Sequence, residues 1–248
     1  MASHLPTPVT RMLPGWAQHW WAWFAVAFLV TFVSFWPSFF SAISNAATHI
    51  LLHGLSATAW MLLTVAQALL IKSGWRNTHL KLGYVSIGLA AIVVVSGFWV
   101  LKTMMLGGNG PTGEGFALSL KFFYLDVTGL ALFCIFLGLA INAAKQRDIA
   151  LHLRLIACTA IIPLEAVLER TYLYGTPSLV PNLDVALLAS EITLIVLTAG
   201  LVLGEWRFSR VRWPFTLMLS YYLTMLFTQN LVAESQWFIT IALQYANL

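Results

Sequence analysis

Six side chains stand out as capable of chemistry: His53, His79, Asp126, His152, Glu165 and Glu191. All lie in, or at the edge of, long apolar runs. An ionisable group inside a bilayer costs several kcal/mol unless it is paired or faces a cavity. Counted at about 1.5 Å per residue from the outer ends of their spans, His53 lies about 9 Å deep, Asp126 and Glu165 about 14 Å, and Glu191 about 10 Å. Four spans thus place a polar side chain at similar depth in the outer leaflet. One histidine and three carboxylates could hold a transition-metal ion, or bind a cationic solute and pass protons. The plainer reading is a set of local pairs that seat the bundle, such as Lys121 with Asp126, or Arg170 with a glutamate. His49 sits one helical turn above His53 on the same face. Glu169 and Arg170 fall nearer the outer surface, and Pro163 is placed to open the fifth span close by.

The second set lies at the inner face, where His79 opens the third span and His152 the fifth. A neutral imidazole is an axial ligand for haem iron, and two helices can each supply one. Lys81, Arg154 and Gln67 could join a propionate or anionic-headgroup site at the same level. Retention of basic residues at the cytoplasmic face explains these positions without any cofactor.

The elements that must carry these residues follow from composition. Of 248 residues, 60% are hydrophobic and 9% charged, against about 25% charged in a soluble domain. Runs of roughly 20 apolar residues can cross a hydrocarbon core about 30 Å thick, and in lipid the backbone must bond within a helix. The expected fold is therefore an all-α polytopic transmembrane bundle, a single integral membrane domain over 1–248. Seven spans are expected, at about 22–45, 47–71, 79–104, 117–143, 150–173, 184–204 and 213–231. Between them, Ser73 to Thr78 reads as a polar turn with Thr78 as helix cap, and Gly107 to Gly115 as a glycine-rich loop. Thr176 to Asn182 forms another loop, and Arg207 to Pro214 a basic turn. The stretch from Glu234 to Leu248 suits an interfacial helix. The segment before the first span lacks the form of a cleaved signal. Trp16, Trp20 and Trp21 suit the membrane interface, whereas Trp36 and Trp60 suit packing. Cys134 and Cys158 fall inside spans and read as small apolar packing residues.

Orientation follows from the basic residues. With the N-terminus cytoplasmic, the inner segments hold Arg11, Lys72, Arg76, Lys81, Lys145, Arg147, Arg154, Arg207, Arg210 and Arg212, leaving Lys102, Lys121 and Arg170 on the outer half. Lysine and arginine are retained inside during insertion. Of the acidic residues only Asp148 and Glu205 are inner.

His53-Gly54, Trp60, Gln67, His79-Leu80-Lys81-Leu82-Gly83 and His152-Leu153-Arg154 resemble the pattern of a family of uncharacterised bacterial multi-pass membrane proteins. The likeness runs over about residues 50 to 172 and implies a place in the bacterial inner membrane. A more distant resemblance is to the transmembrane ascorbate-dependent b-type cytochromes. In those, one haem is held by histidines of the second and fourth core helices, and another by the third and fifth near the opposite face. The likeness implies His79 and His152 as ligands of an inner haem b. His53 is similar to the second-helix ligand, but Ser119-Leu120-Lys121 stands where its partner histidine would be.

Three classes of function remain open. One is a redox protein carrying haem at His79 and His152, or a transition metal at His53, Asp126, Glu165 and Glu191. Another is a cation- or proton-coupled transporter using the embedded carboxylates. The third is a non-catalytic subunit of a larger membrane complex. Expected partners are the lipid bilayer and either other membrane proteins or further copies of the chain. No nucleic-acid signature, nucleophilic triad, P-loop or dinucleotide fingerprint is present.

Overall fold

Long apolar runs broken by short polar turns become long helices packed side by side. A computed structural model describes residues 19–107, 115–208 and 210–246. These form α1 (Trp20–Phe35), α2 (Thr48–Lys72), α3 (Arg76–Gly107), α4 (Phe116–Lys145), α5 (Ile149–Ile161), α6 (Leu164–Gly175), α7 (Leu183–Phe208), α8 (Trp213–Ala233) and α9 (Gln236–Ala246), with no strand among the described residues. Five segments are long and apolar enough to cross a membrane: Thr48–Lys72, Arg76–Met105, Phe116–Lys145, Ile149–Gly175 and Leu183–Phe208. Much of their apolar surface faces outward, with Val85, Val95, Val196 and Leu203 each at least 60% exposed. Water would oppose such a surface and lipid accepts it. This is a helical membrane protein.

Two expected spans are interrupted. The first ends at Phe35, and Phe40–Asn45 continues as a 3-10 turn. Pro37 has no N–H to extend the ladder. The fifth divides into α5 and α6 at Ile162-Pro163, where Thr159 loses its donor to proline; the Tyr222 hydroxyl donates to the nearby Ile161 carbonyl (3.5 Å). The third helix begins at Arg76, ahead of Thr78, so Thr78 is not its cap. Instead Gly74, at φ 79°, ends α2 in the left-handed conformation, and the Trp75 N–H returns to the Leu70 carbonyl (2.8 Å). Gly107 closes α3, and the rest of the expected glycine-rich loop, 108–114, lies outside the described residues, as do Arg11 and Trp16.

Contacts sort the helix ends onto two faces. At the basic end, Lys72 sits over the Trp21 ring (4.1 Å), Trp20 stacks on Phe215 (6.2 Å), and Arg212 bonds Asp148 (2.7 Å). At the opposite end, Lys121 bonds Asp184 (2.9 Å) and Arg170 lies over the Phe35 ring (4.4 Å). Helices thus alternate in direction, and the α5–α6 pair counts as one traverse. The core is centred on Trp60, Phe133, Phe136, Leu155, Leu194, Phe215 and Tyr222. A smaller cluster, holding Leu101, Met105, Phe123 and Phe238, docks α9 on α3 and α4. Trp36 is 52% exposed, contrary to a packing role, while Trp60 meets Phe133 edge-on (4.9 Å). Cys158 is buried and Cys134 exposed; both are free thiols.

Candidate functional site: an acidic cavity at a broken helix

In the half of the bundle away from the basic end, a cavity of about 170 Å³ opens among α1, α2, α4 and α6. Its wall includes His53, Asp126 and Glu165, together with Phe35, Phe39, Trp60 and Phe133. The break between α5 and α6 makes part of this wall, because Ile162 and Pro163 line it. It also puts Glu165 in the first turn of α6, at the helix end that favours a carboxylate.

The carboxylates here lack the partners that normally accompany buried acids. Glu165 Oε1 is sealed from solvent with no hydrogen-bond partner. Among the described residues the ion pairs are Lys121–Asp184, Arg154–Glu205 and Arg212–Asp148, and none includes Asp126, Glu165 or Glu169. Asp126 keeps exposed surface and lines the cavity. Arg170 is within electrostatic reach of His53, Asp126 and Glu169, yet its Nη1 donates to the Ala166 carbonyl (3.0 Å). One arginine thus faces an excess of acids. The pairs expected from sequence are replaced: Lys121 reaches Asp184 rather than Asp126, and Arg170 covers Phe35 rather than binding a glutamate.

His53 has a defined tautomer. The Ser96 hydroxyl donates to the Ile92 carbonyl (2.6 Å), so its oxygen accepts from His53 Nδ1–H (3.2 Å). Nε2 then carries the lone pair. His49 packs against Trp99 instead (5.7 Å).

Glu191 stands apart. It is fully buried on α7 and accepts from Gln229 Nε2 on α8 (2.7 Å), outside the cavity wall. It remains within electrostatic reach of Glu165. Glu169 is 5% exposed. Gln229 was not singled out in the sequence, although a glutamine inside an apolar span is the same kind of signal as the acids. Among the described residues no three His, Cys, Asp or Glu side chains are close enough to share a metal ion. A transition metal needs such ligands at about 2.0–2.3 Å.

At the basic end, His152 and His79 sense each other electrostatically. His152 Nδ1–H donates to the Ala140 carbonyl (2.9 Å), leaving Nε2 as a potential ligand atom. With the Gln67 amide turned so that both ends are satisfied, its nitrogen donates to His79 Nδ1 (2.7 Å) and its oxygen accepts from Gly83 N–H (3.0 Å). A neutral His79 in this arrangement carries its proton on Nε2. Arg154, a candidate propionate partner, is buried in an ion pair with Glu205.

Comparison of the chain with protein families, with curated proteins and with solved structures gave no match.

Proposed function

We propose that the protein is a cation- or proton-coupled transporter of the bacterial inner membrane, built from seven spans with its N-terminus in the cytoplasm. The observation that carries this reading is the cavity at the α5–α6 break, with Asp126 and Glu165 in its wall and neither of them in an ion pair among the described residues. Interrupted helices in transporters expose backbone and helix ends to a site near mid-membrane. Unpaired acids there can be neutralised either by a proton or by a cation, and competition between the two is the chemistry of coupling. Four further features support the scheme. His53 Nε2 offers an acceptor, Glu169 and Glu191 extend the acids away from the cavity, Tyr222 tolerates the break, and the basic end carries most of the arginines that set orientation.

Full-length protein in vesicles containing a pH-sensitive dye tests the reading. An inward cation gradient should drive proton efflux, and Glu165→Gln and Asp126→Asn should each lower the rate by about ten- to hundredfold, the worth of a lost charged hydrogen bond. Flux unchanged in both variants, or absent in the unmodified protein across inorganic and organic cations, overturns it. An absorption spectrum of the same preparation bears on the haem alternative. A Soret band lost in His152→Ala would favour that reading instead.

A further inference from the structure

Resting on the transport reading, we infer that the cavity takes a small organic ammonium ion rather than a bare inorganic cation. A bare ion in an apolar protein requires several oxygen ligands converging at about 2.0–2.6 Å to replace its hydration shell. Among the described residues, acidic, imidazole and thiol side chains do not supply a cluster of three for one. The wall supplies acceptors from three helices, Asp126 on α4, Glu165 on α6 and His53 on α2. A protonated primary amine carries three N–H donors on one nitrogen, and a carbon chain that a bare ion lacks.

The rest of the wall suits that chain. Phe35, Phe39, Trp60 and Phe133 line the cavity, and aromatic faces attract ammonium groups as well as hydrocarbon. The space of about 170 Å³ exceeds the share of roughly five waters at about 30 Å³ each, which is room for a short alkyl group and unnecessary for an ion. Phe39 closes one side. Its ring lies on Gly54 so tightly that a Cβ there would be 2.4 Å from Phe39 Cζ. Arg170, the cation that could otherwise fill the site, is drawn to the Ala166 carbonyl and the Phe35 ring.

Butylammonium is a suitable probe, with 1-butanol as its uncharged counterpart and sodium as the inorganic ion. Binding to the purified full-length protein is followed by calorimetry, and flux by the vesicle assay. The expected result is saturable butylammonium binding, no heat with 1-butanol, and at least about tenfold weaker binding in Glu165→Gln and in Asp126→Asn. Trp60→Leu, which keeps every acid but removes an aromatic face from the wall, should weaken butylammonium binding. Should a variant fail to give monodisperse protein, its partner variant carries the comparison. Proton flux driven by sodium with no butylammonium binding overturns this inference and leaves transport standing. Butylammonium binding without flux of any cation supports the site and removes the transport reading. Equal binding by the unmodified protein and both acid variants overturns the assignment of the site.

Discussion

The two halves of the bundle treat acids inside the protein in opposite ways. At the basic end, buried Glu205 is bound by Arg154 and by the Arg212 N–H (2.9 Å), and Asp148 caps α5 through the Leu151 N–H (3.0 Å) while accepting from Arg212. Every acid there has a basic partner and a job in holding α5, α7 and α8 together. In the other half, Asp126 and Glu165 face a cavity, and Glu165 Oε1 has no partner. Burial alone therefore does not mark a functional acid. Burial without an ion pair, beside open space, does, because folding leaves that cost to be met by something bound.

Substitutions can break this contrast, and the largest effect should come from the paired half. Arg154→Ala strands Glu205 without its partner and should cost about 3–5 kcal/mol of stability, seen as a lowered melting temperature. Glu165→Gln should leave melting unchanged or raise it, since it removes a buried unpaired acid, while flux falls. Equal destabilisation by the two would erase the distinction. Next in size, Gly54→Ala drives a Cβ against the Phe39 ring and should cost about 1–3 kcal/mol by overpacking; made in a Phe39→Ala background, Gly54→Ala should cost little further, and an equal cost in both backgrounds would mean that Phe39 is not the obstacle. The smallest effect concerns the clasp on Asp148. Burial works to raise the Asp148 carboxyl, but the Arg212 hydrogen bond and the Leu151 N–H outweigh it and hold it below its ordinary 3.8. Its contribution is therefore present above pH 3.8 and is lost as pH falls through the lower folded value. The pair is partly exposed, so an advantage of unmodified protein over Asp148→Asn of at most about 1 kcal/mol is expected near neutrality. That advantage should vanish on acidification; one that grows instead would reverse the sign.

Much of the frame is legible in the sequence because lipid imposes a simple rule: long apolar runs become helices, and polar breaks become turns. Five long membrane-length segments follow that rule. What escapes it are interruptions inside a run. Pro163 could be seen as a disturbance, but dividing 150–173 into α5 and α6 depends on Tyr222 and the surrounding helices accommodating the break. Pro37 likewise stops α1 short of the expected 22–45. In the site, equal depth picked out His53, Asp126 and Glu165, which share a cavity wall. Depth carries no information on rotation about the helix axis, and so it also picked out Glu191, which turns toward Gln229. Pairing was least legible. Lys121 is five residues from Asp126 and yet bonds Asp184 on another helix. Nor does the spacing of Arg154 and Glu205 announce an ion pair between α5 and α7.

Carbodiimide labelling of the protein in vesicles, followed by peptide mapping, compares the two halves most directly, since the reagent enters apolar cavities and attacks carboxyls not engaged in ion pairs. The expected result is modification of Asp126 and Glu165, little at Glu205, and protection of the first two by a bound cation. Labelling of Glu205 ahead of Asp126 and Glu165 would contradict the contrast between paired and unpaired acids on which the cavity's function rests.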